Sequence, residues 1–345
     1  MHRLLSGLAA FVLLSACESS PTGDPGPEEP GLLTVTLDGS AGWAYADLDA
    51  ASPAVAVANP GANADWDIAV NATNVMLNGG QAGPGGVLGW CLCQNEAATD
   101  AQVMALTADA SLAAFTGATA AVAPTDAAAW RVDSLTSAIS GWWSYNSTTH
   151  VVAANPAKAF YVRTAEGTAY AKLRVVSLAD AQRAHAGTVT LEYAVQPSAT
   201  AAMGETRRVT LDLSGGRVYF DLLTGAAGTA ADWDVALEGY DIRVNGGASG
   251  SGQAGAVAAT EAFADIANAA SPPATAFRGD SYGGVFRTRP WYRYNLTGSD
   301  HQVWPTFNVY LLKRGDTLFK VQLTSYYGPA GEPRRITLRY AKLAG

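Results

Sequence analysis

Two histidines follow the same aromatic motif and could ligate the metal of a flat cofactor. His150 lies in WWSYNSTTH and His301 in WYRYNLTGSDH, each after a Trp-x-x-Tyr-Asn block. Three residues separate Asn146 from His150, and five separate Asn295 from His301. An imidazole nitrogen among tryptophan and tyrosine rings suits a planar aromatic ligand whose metal accepts nitrogen. The alternative is a surface or packing histidine in a loop after a strand.

Two pairs of aspartates are the second candidate for chemistry. Asp65 and Asp67 in ADWDIAV recur as Asp232 and Asp234 in ADWDVAL. Carboxylates at i and i+2 can hold a cation or act as an acid/base pair, but in a strand they share the face opposite the intervening tryptophan. Because no further acidic cluster lies nearby in the sequence, we expect these carboxylates to be solvated or to cap turns.

The cysteines and a glycine-rich loop carry weaker signals. Cys91 and Cys93 can form one disulfide, a free pair or an intermolecular bond, and two thiolates are only half of a metal site. The loop GGASGSGQAGAV, residues 246–257, lacks both the strand–GxGxxG–helix context of a dinucleotide site and the lysine of a P-loop, which predicts a flexible loop.

Catalysis has little support in the sequence. The chain contains no HExxH or CxxC motif, although a Ser-His-Asp set with members distant in sequence stays open. The net charge is −8 with no basic block, which argues against nucleic acid or an anionic membrane surface as ligand. We therefore predict a protein that is not an enzyme.

A duplication must position all of these residues. ADWDIAVNATNVMLNGG, residues 64–80, and ADWDVALEGYDIRVNGG, residues 231–247, agree at 8 of 17 positions. Six such blocks recur in the same order, which indicates a duplicated domain. The composition of the connecting segment places one domain at 31–196 and the other at 206–345. Each repeat carries a full set of strands, so we expect it to fold around its own core.

The pattern within each repeat is mainly that of strands. Large apolar residues alternate with small or polar ones through both Asp-Trp-Asp segments, and Asn-Gly-Gly closes the strands that follow. Alanine-rich segments at 100–115 and 260–270 predict one short helix per repeat. The predicted fold is mostly β, with two tandem antiparallel all-β domains that each have a minor helix.

The first residues predict export and lipid attachment. Residues 1–16 have a positive start, a short apolar run and small residues before a cysteine, as in a bacterial lipoprotein signal peptide. Cleavage there would leave Cys17 as the lipid attachment residue. Residues 17–30 are rich in proline, glycine, serine and acid, which indicates a flexible tether. We expect an outer-membrane anchor, possible exposure at the cell surface, and membrane contact through the lipid alone.

The ordered motifs resemble one known family. Residues 209–341 contain a YFDL strand, ADWDVAL, NGG with a Gly/Ser-rich loop, WYRYN with a following histidine, the YLLKRGDTLFKVQLTSYY segment and a closing ITLRYA. Residues 34–194 repeat the series with an insertion of 18 residues, the difference between offsets of 167 and 149. This set resembles the HmuY-like family of bacterial haem-binding lipoproteins. The resemblance implies an all-β fold that grips haem between finger-like loops and passes it to a TonB-dependent receptor.

The resemblance also implies the ligand and its contacts. His150 and His301 are the candidate haem iron ligands, and Met76, Met104 and His185 are candidate second ligands in the first repeat. We predict an outer-membrane-anchored lipoprotein that binds haem or a related porphyrin for uptake by a TonB-dependent receptor. The alternative is a non-catalytic surface lipoprotein that uses the fold to dock another protein.

Overall fold

The structure is a computed structural model that describes residues 31–344. The predicted signal peptide, the tether and Cys17 lie outside these residues. No helix in the described range is long and apolar enough to cross a membrane. The helices are α1 Asp100–Met104, α2 Leu112–Thr116 and α3 Val285–Thr288, with 3-10 turns at Pro60–Ala62, Ala120–Val122, Ala127–Ala129, Phe263–Asp265 and Ala274–Ala276.

Within the described range the chain forms 24 strands, all paired antiparallel. The first twelve are β1 Leu33–Asp38, β2 Ala44–Ala46, β3 Ala54–Val55, β4 Ile68–Asn71, β5 Asn74–Leu77, β6 Leu88–Cys91, β7 Ser134–Thr136, β8 Trp143–Asn146, β9 Val151–Ala154, β10 Ala159–Arg163, β11 Tyr170–Ala179 and β12 Thr188–Gln196. The others are β13 Arg207–Asp212, β14 Val218–Asp221, β15 Ala226–Ala227, β16 Val235–Glu238, β17 Asp241–Val244, β18 Gly255–Ala258, β19 Ser281–Gly283, β20 Tyr292–Tyr294, β21 Val303–Pro305, β22 Tyr310–Arg314, β23 Thr317–Tyr327 and β24 Pro333–Lys342.

The two largest sheets each combine strands of both repeats. One sheet has the order β1-β24-β23-β22-β6, so the first strand of the chain pairs with the last, and Val35 lies opposite Leu338. The other has the order β13-β12-β11-β10-β18, in which Leu191 lies opposite Val209. The early strands of each repeat are therefore completed by the late strands of the other repeat.

This exchange creates two packed units that we name by their chain course. The continuous unit is residues 137–280, whose main core runs from Ile139 to Ala256. The split unit consists of residues 31–133 and 284–344, and its main core joins residues from both segments. The chain crosses between the units at β7 and β19, which pair with Leu135 opposite Tyr282.

The repeats and the packed units are therefore different parts of the chain. The mostly β fold in two tandem copies is confirmed. The boundaries 31–196 and 206–345 stay a prediction about the repeats, while each core is shared between repeats instead of belonging to one.

The helical segments also differ from the expectation. The predicted helix at 100–115 is two short helices, α1 and α2, and the segment 260–270 holds only a 3-10 turn. Both segments instead supply a phenylalanine that covers a buried lysine. Lys172 Nζ lies 4.7 Å from the Phe263 ring centroid, and Lys320 Nζ lies 4.8 Å from that of Phe115.

Candidate haem-binding cleft

The hairpin of β8 and β9 presents His150 in the continuous unit. Asn146 ends β8, and its Oδ1 accepts hydrogen bonds from the backbone N–H groups of Thr148 and Thr149 at 2.9 and 3.0 Å. This Asx turn closes the hairpin, and His150 takes a left-handed φ of 57° before β9 begins. The asparagine of the shared motif is thus the residue that turns the chain and places the histidine.

A tyrosine of the same hairpin holds the imidazole ring. Tyr145 Oη lies 2.6 Å from Nδ1 of His150, and both side chains are exposed. When Nδ1–H donates this hydrogen bond, Nε2 carries the lone pair and faces away from its partner. A hydrogen bond to one ring nitrogen is the usual way in which a protein fixes the tautomer of a metal-ligating histidine.

His150 lines an aromatic cleft of about 500 Å³ together with Trp143, Tyr145, Arg183 and Tyr240. Trp143 Nε1 donates to the Tyr240 carbonyl at 3.1 Å, and the two ring centroids lie 4.7 Å apart. These rings, tilted by 43° to each other, offer an apolar wall, and Arg183 adds a guanidinium that can pair with a carboxylate. Tyr240 belongs to the second repeat and His150 to the first, so the exchange between repeats builds this cleft.

The second hairpin, formed by β20 and β21, repeats the tyrosine–histidine pair. Tyr294 Oη lies 3.2 Å from Nδ1 of His301, which has a φ of 51°. Asn295 Oδ1 accepts the backbone N–H of His301 at 3.0 Å. His301 is likewise exposed. The sequence therefore predicted equivalent positions for the two histidines correctly.

The surroundings of the two histidines differ. Two cavities lie beside the second hairpin. One of about 140 Å³ is lined mostly by polar and charged residues with Tyr292 as its only aromatic ring, and one of about 230 Å³ includes Tyr282, Phe286, Trp291 and Tyr292; His301 lines neither. The position equivalent to Tyr240 is Thr73, at the repeat offset of 167. Trp143 corresponds to Tyr292 at an offset of 149. The structure therefore places His150 in an aromatic cleft and shows His301 without one in the described cavities.

The candidate second ligands lie in three different places. Met76 is buried beside Trp66 in a small core cluster, and Met104 lies in α1. His185 belongs to the loop after β11 that also carries Arg183, and its Nδ1 accepts the backbone N–H of Gly187 at 3.0 Å. Of these three residues, only His185 lies on a segment that lines the His150 cleft.

The structure corrects the expectation that both members of each aspartate pair are solvated. Asp65 and Asp232 are exposed, whereas Asp67 and Asp234 are buried at the start of β4 and β16. Burial raises the pKa of both buried carboxyls to about 6.

Each buried carboxylate accepts backbone hydrogen bonds. Asp67 Oδ2 accepts the backbone N–H of Leu48 at 2.7 Å, and Asp234 Oδ2 accepts that of Leu222 at 2.9 Å. Arg314 Nη1 lies 2.9 Å from Asp67 Oδ1, and burial still outweighs this charge in setting the pKa. These are turn-fixing carboxylates that the packing has desolvated, so the solvated alternative is wrong for one member of each pair.

The remaining candidates form no metal site in the described chain. Cys91 and Cys93 are joined by a disulfide, so the pair is not a thiolate site. Within residues 31–344 no group of three or more His, Cys, Asp or Glu side chains could hold a metal ion.

Sequence reasoning missed Arg183 and Tyr240 as cleft residues. The signal available was the difference between Thr73 and Tyr240 at aligned positions of otherwise similar repeats. A large aromatic residue that replaces a small polar one on one copy alone marks a surface that the other copy does not share.

Comparison with known proteins assigns the chain to a family. The sequence model of the family described as HmuY protein matches residues 40–193 and 214–340. No curated protein matches the chain. A Bacteroides vulgatus crystal structure, described as that of an HmuY-like heme binding protein, is similar at 16% identity and a TM-score of 0.18, covering 36% of this chain and 84% of the other.

A second solved structure comes from Bacteroides fragilis and is described as that of a lipoprotein. It shares 20% identity and a TM-score of 0.18, covering 48% of this chain and 92% of the other. At these scores neither structure locates a site in this chain. The two family matches together span most of the sequence and coincide with the two repeats. The chain belongs to the HmuY family and contains two tandem copies of its domain.

Proposed function

We propose that this protein binds haem, or a related porphyrin, in the His150 cleft of the continuous unit. The observation that supports this is the grouping of His150, Trp143 and Tyr240 on one cleft of about 500 Å³. Membership of the HmuY family and the heme-binding description of a similar structure point to the same ligand. The proposed site involves the hairpin of β8 and β9 and not the equivalent hairpin of β20 and β21.

The residues of the cleft fit a haem in three respects. His150 has its Nδ1 engaged by Tyr145 and so offers Nε2 to iron. Trp143 and Tyr240 provide the rings that can stack on a porphyrin face. Arg183 provides the cation for a propionate carboxylate. The bound iron would supply the coordination bond to imidazole; the protein supplies the wall, the orientation of the ring and the charge.

The cellular role extends the same proposal. A lipoprotein anchored through Cys17 in the outer membrane would hold the two units away from the bilayer on the tether, and a TonB-dependent receptor would take the haem. We propose no catalytic step, because the cleft pairs a ligating group with a stacking wall and adds no acid/base pair. The signal peptide at 1–16 is part of this proposal.

A second role has an observation of its own. The two hairpins expose large apolar side chains, with relative exposures of 52% for Tyr145, 54% for Val151 and 55% for Tyr294. Exposed apolar groups on protruding hairpins are typical of surfaces that dock a partner. Protein docking through both hairpins is therefore the alternative to haem binding at one of them.

Haem titration of the Cys17→Ser mature chain tests the proposal. We expect a sharpened, shifted Soret band that saturates at one haem per chain. His150→Ala should abolish most of the shift, while His301→Ala, the matched control from the equivalent position, should leave it nearly unchanged. A free-haem spectrum for the wild-type chain at micromolar protein would defeat the proposal. Equal losses from both alanine variants would favour two sites or a non-specific contact.

A further inference from the structure

A second large cavity lies outside the His150 cleft, between the two units. It has a volume of about 640 Å³, within the range of ordinary small-molecule sites. The split unit contributes residues from β2, β5 and the neighbouring loops, and the continuous unit contributes Arg217 just before β14, Arg243 in β17 and the loop after β17. Only the association of the two units creates this space.

The two sides of the cavity differ in chemistry although they come from equivalent parts of the repeats. Trp43 and Met76 line the cavity from the split unit, and Arg217 and Arg243 line it from the continuous unit. Trp43 corresponds to Arg217 at an offset of 174, and Met76 corresponds to Arg243 at an offset of 167. One repeat therefore supplies apolar and aromatic groups where the other supplies two cations.

Two nitrogen donors at this cavity are buried without a hydrogen-bond partner among the described residues. They are Trp43 Nε1 and Arg243 Nε. Arg243 is only 7% exposed, and its other nitrogens contact Tyr282 Oη at 3.2 Å and Glu238 Oε2 at 3.3 Å. An unsatisfied buried donor is costly, because its hydration has been lost with no bond in return. Both atoms belong to side chains that line the cavity, and each would be satisfied by an acceptor brought within hydrogen-bond distance of it.

The charged side chains that line the cavity are both cations. Arg217 and Arg243 are the charged residues that line it, and Glu238 binds both of them, with 2.5 Å to Arg217 Nη2. Asp241 and Asp280 also interact electrostatically with Arg243, although neither lines the cavity. None of these three acids lines the cavity, so its lining carries two guanidinium groups and no carboxylate.

The glycine-rich loop after β17 completes the wall and is held in place. Asn245 Nδ2 donates to the Trp233 carbonyl at 2.8 Å, and Asn245 Oδ1 accepts the backbone N–H of Gly252 at 3.1 Å. A Cβ on Gly250 would lie 2.1 Å from Asn245 Oδ1, so the close approach requires glycine. The loop that the sequence suggested to be flexible is therefore a fixed part of the cavity.

We infer that this cavity is a second ligand site, which takes a planar apolar molecule that carries a carboxylate. Its rings would pack against Trp43 and the neighbouring Tyr282, and its carboxylate would accept from Arg243 Nε and Trp43 Nε1. A porphyrin propionate and a smaller aromatic acid share this chemistry. The inference needs neither His150 nor iron, so it can fail or succeed independently of the proposed function.

The test is fluorescence titration of the Cys17→Ser mature chain with two probes, 2-naphthoic acid and metal-free protoporphyrin IX. We expect saturable binding of at least one probe. Arg243→Gln should weaken it about tenfold, the usual effect of losing a hydrogen bond to a charged group. Trp43→Phe should weaken it less, because only the indole N–H is lost. Binding of the naphthoate alone identifies a smaller acid, and binding of the porphyrin identifies a tetrapyrrole.

Matched variants keep the test decisive. Arg208→Gln is the control, because Arg208 is an exposed arginine that pairs with Glu192 in β12, away from the cavity. Arg217→Gln provides a second cavity variant at a more exposed position should Arg243→Gln fold poorly. His150→Ala should leave the binding of 2-naphthoic acid unchanged, because this probe offers no porphyrin ring to the His150 cleft. The inference is overturned if neither probe saturates, if Arg208→Gln weakens binding as much as both cavity variants, or if only His150→Ala abolishes it.

Discussion

The two hairpins that carry a histidine contain the same tyrosine–histidine pair, but they contact different surroundings. In the continuous unit, Tyr145 and His150 lie above the packed rings of Trp143 and Tyr240. In the split unit, the second hairpin is held by ion pairs, because Arg293 binds Asp100 of α1 at 2.8 Å. The inserted helical segment thus forms an ion pair with the hairpin of β20 and β21, whereas the hairpin of β8 and β9 contacts aromatic rings.

This difference shows that the tyrosine–histidine pair does not by itself create an aromatic cleft. The turn that places each histidine depends on local residues, and both copies have kept it. The wall depends on Tyr240, which the exchange of strands brings from the other repeat. A duplicated domain with exchanged halves can therefore change one cleft by a substitution far away in the sequence, without altering the hairpin.

The largest effect is expected when fragments of the two units are expressed separately. Residues 137–280 expressed alone should fold cooperatively, because they contain β10 to β13 and β18 of one complete sheet. Residues 206–345 should not, because they retain β24 without β1 and β13 without β12. Circular dichroism during heating would show a transition for the first fragment and none for the second.

An equimolar mixture of two fragments is the control for this prediction. Fragments 31–196 and 206–345 together contain every exchanged strand, so they should recover a cooperative transition after refolding as a mixture. A sharp transition for 206–345 alone would mean that each repeat closes on its own core, and the exchange between repeats would then be wrong.

The sequence predicted the parts of the fold but not their assembly. Alternating residues and six repeated blocks fix the strands and the duplication. The partner of β1 is not fixed in this way, because both repeats carry similar closing strands, β12 and β24, with the same pattern. The pattern of β1 fits either closing strand, so it does not choose between closure within a repeat and closure across repeats.

Contacts between the repeats also explain why the sequence predicted only part of the candidate site. The two histidines, their turns and the shared asparagines follow from local motifs. The cleft needs contacts between segments about 90 residues apart, from His150 to Tyr240, and no local pattern states that contact. The buried aspartates were missed because strand alternation assigned both members of each pair to the solvent face.

Exchanging wall residues would sharpen the comparison next. Tyr240→Thr gives the continuous unit the residue of the split unit, and we expect haem affinity to fall at least tenfold, because ring stacking is lost while His150 remains. Thr73→Tyr, the reverse change in the split unit, should leave the Soret titration close to that of the wild type. If Tyr240→Thr binds haem as tightly as the wild type does, the Tyr240 ring does not contribute to haem affinity.

Equivalent buried aspartates should differ in the pH dependence of stability. Asp133 Oδ2 accepts the backbone N–H of Leu77, its Oδ1 has no hydrogen-bond partner in the described chain, and burial raises its pKa to about 7. The folded state therefore holds a proton that the unfolded chain has released. The free energy of unfolding therefore contains a contribution from protonated Asp133 that is complete below about pH 4 and is lost as the pH rises to about 7.

Asp133→Asn should therefore be more stable than the wild type at pH 8, by about 1–3 kcal/mol, and should match it near pH 4.5. Asp280 is the control in the continuous unit, because both of its oxygens accept backbone N–H groups, from Ala138 and Val244. Asp280→Asn should destabilise the protein at both pH values. Urea denaturation at the two pH values measures this, and parallel behaviour of both variants would contradict the difference in partners.

The smallest expected effect concerns the disulfide, which only the split unit contains among the described residues. Cys91 and Cys93 correspond to Ala258 and Thr260 at the offset of 167. A ring that closes over so few residues restricts the unfolded chain little, so it should contribute only about 1–2 kcal/mol. The double variant Cys91→Ala, Cys93→Thr, which takes the residues of the other unit, should lower the melting temperature of the split unit by about 2–5 °C.

The haem spectrum of this variant should be unchanged, because the His150 cleft belongs to the continuous unit. Calorimetry with and without a reductant provides the matched measurement: reduction should reproduce the shift in the wild type and have no effect on the variant. A larger loss, or a change in the Soret band, would mean that the disulfide couples the two units through the crossing strands.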